Sequence, residues 1–196
     1  MEKSSMHYAA RGSVLFSVAA GLLISSVPAH AQTDTNVGIA SASAGGIFGL
    51  GAHGSYGASL ADPLSKYFMP FVDFSYSPLT SYAFTYGSNL TGKGLYTSSL
   101  LDLNGGVKIR FTGKRDWVPY IGVGAGLLRL SSSTYTSGFS QTATVNASRN
   151  ELAGNVSVGG LYYVTQHVGF VMEVKGYMAA HNRFGRASIG VFYQFP

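Results

Sequence analysis

The chain contains no cysteine in its 196 residues. A disulfide framework, a thiolate metal site and a lipid-modified N-terminal cysteine are therefore excluded. Charge is also scarce: Asp, Glu, Lys and Arg make up 11% of the residues, against about 25% in an ordinary soluble domain. The formal net charge of +5 is modest and is not gathered into a run, so nucleic acid is not expected as a partner. Beyond residue 31 no apolar run approaches the ~20 residues of a membrane-spanning helix. A mature chain inserted in a membrane would have to be a closed β-barrel, since only helices and barrels satisfy every backbone polar group in lipid.

What the chain does have is glycine (26), tyrosine (13), phenylalanine (12) and a hydrophobic content of 46%. Few charges with many glycines and aromatics suit a β-protein that does not depend on a charged outer surface. The first 31 residues have a separate purpose. Lys3 and Arg11 form a basic start, an apolar run follows from about Gly12 to Ile24, and Ala29-His30-Ala31 closes it with the small-x-small pattern of a signal-peptidase site. Residues 1–31 are expected to be a signal peptide cleaved before Gln32, leaving 32–196 as a single domain.

Alternation with period two marks the strands of that domain. In 168–177 Val168, Phe170, Met172 and Val174 oppose Glu173, Lys175 and Tyr177. In 101–111 Leu101, Leu103, Val107, Ile109 and Phe111 oppose Asp102, Asn104, Lys108 and Arg110. In 152–164 Leu152, Val156, Val158, Tyr162 and Val164 oppose Asn155, Ser157 and Tyr163. The same pattern sets Val72, Phe74 and Tyr76 against Asp73 and Ser75, and Ile189, Val191, Tyr193 and Phe195 against Arg186, Ser188 and Gln194. The reading gives eight strands near 36–45, 48–60, 67–78, 95–111, 118–132, 151–165, 168–180 and 184–195. Short turns (61–66, 112–117, 166–167) alternate with connections near 45–46, 79–94, 133–150 and 181–183, and the two long loops fall on one side. Short turns at one end and long loops at the other are the pattern of an outer-membrane barrel.

The expected fold class is all-β: an eight-stranded antiparallel up-and-down transmembrane β-barrel. Such a barrel is apolar outside and polar within. The expected interior charges are Asp73, Asp102, Lys108, Arg110, Arg129, Glu151, Glu173, Lys175 and Arg186, whose signs nearly balance and can pair. Phe68, Phe111, Trp117, Tyr120, Tyr193 and Phe195 fall near strand ends beside the short turns; Tyr76, Tyr82, Tyr86 and Tyr96 fall near the opposite ends. Both groups are expected as interfacial girdles.

The closing stretch SIGVFYQF resembles the last strand of small outer-membrane β-barrel proteins of the eight-stranded OmpA/OmpX type. There the pattern polar-x-Gly-x-x-hydrophobic-x-aromatic is read by the barrel-assembly machinery. The matching positions are Ser188, Gly190, Tyr193 and Phe195, with Pro196 following where the aromatic is usually terminal. The run Val118–Gly126 is also similar to a strand of such barrels. The resemblance implies an outer-membrane location, lipid and the assembly machinery as partners, a monomer, and a structural or surface-interaction role. A narrow channel for small solutes and a soluble lipocalin-like carrier are the alternatives.

No pattern points to catalysis or a cofactor. Gly122-Val-Gly-Ala-Gly126 has GxGxG spacing, not that of a dinucleotide loop, and no helix pattern follows it; close strand packing is its expected role. His53, His167 and His181 are widely separated and lack metal-ligand spacing. His181-Asn-Arg-Phe184 lies where lipid A deacylases carry a His-x-Ser-Asn-type stretch, but it has no serine. Asn89-Leu-Thr91 and Asn146-Ala-Ser148 have sequon form and are expected to be no more than polar loop.

Overall fold

The computed structural model describes residues 37–86, 92–111, 116–137 and 142–195. The expected signal segment, the Asn89 sequon, most of the 112–117 turn and Pro196 lie outside the described residues. Eight antiparallel strands form a closed barrel in sequence order: β1 Gly38–Phe48, β2 His53–Ala61, β3 Phe68–Tyr86, β4 Gly92–Arg110, β5 Trp117–Ser137, β6 Thr142–Tyr163, β7 Val168–Ala179 and β8 Arg183–Phe195. β8 closes on β1 from Gly38↔Phe195 to Phe48↔Gly185, so neither strand is left as an edge in the barrel wall.

The register fixes the shape. Ile39 pairs with Ala61, then the ladder passes through Phe71, Gly106, Gly124, Asn155, Tyr177 and Phe184. Gly185 pairs with Phe48, so Phe184 stands opposite Gly49. One circuit thus advances ten residues along β1, from 39 to 49, and this stagger gives the strands the ~35–45° tilt of small membrane barrels.

Side chains segregate by parity. Facing outward are Leu60, Phe74, Leu103, Val123, Val158, Met172 and Ile189, all exposed. Facing inward and buried are Asp73, Asp102, Lys108, Arg110, Glu173, Lys175 and Arg186. This is the distribution of a barrel whose outer solvent is lipid. It is the reverse of a soluble carrier, whose polar face would be outside, so the lipocalin-like alternative does not fit.

The turns depart from expectation in two places. Ile47 and Phe48 belong to the end of β1, and the chain reverses at 49–52 rather than at 45–46. Gly49 and Gly51 make this possible, with φ of 96° and 99°, a left-handed region in which a Cβ is unfavourable. Gly49→Ala would also set a Cβ 3.2 Å from the Arg183 carbonyl oxygen. It is expected to destabilise the barrel by about 1–2 kcal/mol, read as a lower urea midpoint in vesicles.

The second departure is larger. The stretches 79–94 and 133–150 are mostly strand, not loop. β3 and β4 pair out to Tyr86↔Gly92, and β5 and β6 out to Ser137↔Thr142. β7 meets β6 only from Ala153 onward, so 142–152 rises roughly 35 Å of strand length past it. β3–β6 therefore form a raised four-stranded sheet over one half of the rim. The other half ends low, at the β1–β2 and β7–β8 turns. The end with the raised sheet is the hairpin end, and the end where β1 begins and β8 finishes is the terminal end.

Candidate functional site

Two features are candidates: the lumen and the raised sheet. The lumen is filled in three layers. At the terminal end Met69, Val118, Tyr120, Leu161, Tyr163 and Phe192 form an apolar cluster. At the hairpin end Ile47, Leu100, Leu128, Ala153, Tyr177 and Phe184 form a second. Between them lie three carboxylates and three cations.

Glu173 is the hub. Its Oε2 is 2.6 Å from Lys108 Nζ and accepts a hydrogen bond from Tyr120 Oη at 2.9 Å. Its Oε1 is 3.3 Å from Lys175 Nζ and 3.9 Å from an Arg186 nitrogen. Lys175, with no exposed surface, also pairs with Asp73, which Arg186 reaches at 3.2 Å. Asp102 accepts from Tyr177 Oη at 2.6 Å and from Asn104 Nδ2 at 2.5 Å. It lies 3.8 Å from Arg186. Asn155 in turn donates to Asn104 at 2.9 Å. Aromatic faces back the cations: Lys108 Nζ sits 4.5 Å from the Tyr120 ring centre and 4.8 Å from that of Phe71. The network braces β3 to β8 across the lumen, and its formal charges cancel. Paired and hydrogen-bonded burial of this kind is the condition under which charges can leave water.

The glycines of the 122–126 run make room for it. Gly122, Gly124 and Gly126 all face inward, beside Lys108, Asn155 and Asn104, and a Cβ on Gly122 would lie 2.5 Å from Ser157 Oγ. The outward partners of the run are Ile121, Val123 and Leu127, all exposed. Across the lumen, Ser41, Ser43, Gly57, Ser59 and Ser188 leave a cavity of about 20 Å³ beside Asp73 and Arg186, room for about one water.

Not every expected interior charge belongs to this network. Arg110 is buried at the terminal end, where its Nη2 donates to the Ser65 carbonyl at 2.7 Å and ties the β2–β3 turn to β4. Glu151 is buried at the hairpin-end mouth and pairs with Arg149 at 2.9 Å. Arg129 is outside: Leu128 faces the lumen with no exposed surface, while Arg129 next to it is exposed on the outer wall. It stands just past Leu127, where the apolar band ends, so its guanidinium can reach water without entering the barrel.

The expected girdles also need correction. Phe68, Phe111, Tyr193, Phe195 and Tyr76 are exposed, and the Trp117 ring covers Gly160 on the outer wall. Tyr120 faces the lumen instead. Tyr82, Tyr86 and Tyr96 lie on the lumenal side of the raised sheet. For Tyr82 and Tyr86 the cause is a bulge: the β3 ladder slips between Pro78 and Thr80, and one extra residue exchanges the faces of everything that follows on that strand; Tyr96 shares the inward parity of Leu100 and Asp102 on β4. Tyr76 thus points out and Tyr82 in, where its ring packs tilted against Tyr96 with ring centres 5.2 Å apart.

Of the closing-strand residues, Ser188 and Gly190 face inward, and a Cβ on Gly190 would meet the Ala42 carbonyl oxygen at 2.1 Å. Tyr193 and Phe195 face out. Among the described residues no cluster of His, Asp and Glu could hold a metal. His53 contacts the Leu50 carbonyl oxygen, and His181 is occupied by Arg149 at 2.5 Å.

The wall, register and filled lumen define an eight-stranded barrel of the outer-membrane type. No known protein family and no curated protein matches the sequence. Among solved structures the chain is similar to a major outer membrane protein from Thermus thermophilus, with TM-score 0.60 and 12% identity over 81% of this chain and 99% of that one. It is also similar to Neisserial surface protein A (TM-score 0.54, 17% identity, 81% and 96%) and to the N-terminal β-barrel domain of Pseudomonas aeruginosa OprF (TM-score 0.50, 18% identity, 82% and 98%). The shared property is the fold.

Proposed function

We propose that this is an outer-membrane protein with a structural and surface-contact role and no catalysis. It is exported by a cleaved signal at 1–31 and inserted as a monomer, with Ser188, Gly190, Tyr193 and Phe195 as the mark for the barrel-assembly machinery. The observation that carries this reading is the pairing of a plugged lumen with a raised sheet. Two apolar layers and a neutral charge network fill the interior, while β3–β6 extend a broad two-sided surface beyond it. The hairpin end faces the cell exterior in this reading, as the taller connections of such barrels do.

The purified protein in planar bilayers is expected to give no discrete conductance above leak, and in gels to migrate differently before and after boiling. Reproducible ohmic steps from the heat-shifting species would replace the plug with a narrow channel.

A further inference from the structure

The outer wall of the raised sheet carries a groove that the surface-contact role leaves unexplained. Cross-strand partners share a face, and two successive rows on this wall are short and mostly hydroxylated. They are Pro78–Ser99–Ser131–Ser148 and Ser81–Thr97–Ser133–Asn146; below them runs Leu101–Arg129–Asn150. The short side chains leave a concavity of about 460 Å³, with Tyr76 and Arg129 at its lower edge. That lower edge borders the apolar band, since the outward residues next in line are Leu103, Leu127 and Leu152.

Arg129 is the charged residue that lines the groove, and the charge of the hairpin end as a whole is one-sided. The hairpin end carries Lys93, Arg129, Arg149 and Arg183 against one carboxylate, Glu151, which Arg149 holds at 2.9 Å. The other described carboxylates outside the lumen, Asp62 and Asp116, belong to turns of the terminal end. A guanidinium at the lipid boundary below a hydroxyl-lined hollow matches a ligand with a phosphate, sugar hydroxyls above it and acyl chains below.

We propose that this groove seats the phosphorylated sugar headgroup of an outer-leaflet glycolipid. Arg129 takes the phosphate, the Ser99–Ser131–Ser148 row faces the sugar, and the acyl chains lie against Leu127 and Leu152. The site rests on the reading that the hairpin end lies in the outer leaflet, but it is tested without conductance. The full mature barrel is reconstituted in phosphatidylcholine nanodiscs doped with a diphosphorylated glucosamine-disaccharide lipid, its dephosphorylated form or phosphatidylglycerol, and retained lipid is counted by native mass spectrometry.

Retention of the phosphorylated glycolipid is expected to exceed that of the other two by about tenfold. Arg129→Ala should remove most of that preference. Ser131→Phe, which fills the groove and keeps the charge, should do the same, with the boiling-dependent gel shift intact in both. Equal retention of phosphatidylglycerol would reduce the site to generic charge attraction and overturn the proposal, as would an unchanged preference in Arg129→Ala. Displacement of the glycolipid by millimolar inorganic phosphate would assign the site to a free anion instead. A conducting barrel that still selects the glycolipid would defeat the plug reading and leave this one standing.

Discussion

Glu173→Gln is expected to destabilise the folded barrel by about 3–5 kcal/mol. Glu173 touches Lys108, Lys175, Arg186 and Tyr120, so its neutral amide leaves three buried cations facing two carboxylates. Lys108 pairs with neither Asp73 nor Asp102, which leaves that ammonium with the Phe71 and Tyr120 ring faces and a long contact to Tyr120 Oη. An uncompensated buried charge is far more costly than an absent pair. The double variant Lys108→Met with Glu173→Gln should therefore recover much of the loss, giving a favourable coupling between the two sites. Urea unfolding in vesicles, followed by the single tryptophan, Trp117, measures all three variants. If Glu173→Gln unfolds within about 0.5 kcal/mol of the parent, the network is water-screened and the lumen is not sealed.

The alternation that makes the barrel legible in the sequence comes from the lipid. A wall with hydrocarbon outside and ion pairs inside must change polarity from residue to residue at the level of the charges, and Leu101–Asn104, Val107–Phe111, Val156–Val158 and Met172–Lys175 do so. Above the bilayer that constraint lapses. Both faces of the raised sheet meet water, so 79–86, 92–94, 133–137 and 142–150 mix small and polar residues with Tyr and show no contrast between faces, and they read as loops. The bulge at Leu79 leaves no hydrophobic signature because it lies at that transition, yet it decides which way Tyr82 and Tyr86 point. Arg129 is expected inside on the rule that charge avoids lipid. The rule holds, but Arg129 satisfies it by standing past the end of the band. Tyr120 resembles a girdle residue by position, whereas its hydroxyl is needed by Glu173. The members of the lumen network can be named from parity. Their pairing cannot, because it depends on the ten-residue stagger that brings β4 and β7 to the same height across the barrel.

The outer wall itself can be tested by a charge placed on it. Val158 is 58% exposed on β6 and lies between Ile121 of β5 and Val174 of β7, in the middle of the apolar band. If hydrocarbon surrounds this position, Val158→Arg must bring a guanidinium to the lipid or bend it several ångströms to the interface. A cost of about 2–4 kcal/mol is expected. Val145 is the control: it lies on the same strand and is 66% exposed, but on the lumenal side of the raised sheet, in the row it shares with Thr134. Val145→Arg should change stability by no more than about 0.5 kcal/mol. Both substitutions put the same charge on the same strand with similar exposure, so backbone propensity and net charge cancel between them. What remains is the solvent each side chain meets. Urea midpoints in vesicles give the difference directly. Two small and equal shifts would mean that water bathes Val158 as it does Val145, and the membrane assignment would fail along with the surface role built on it.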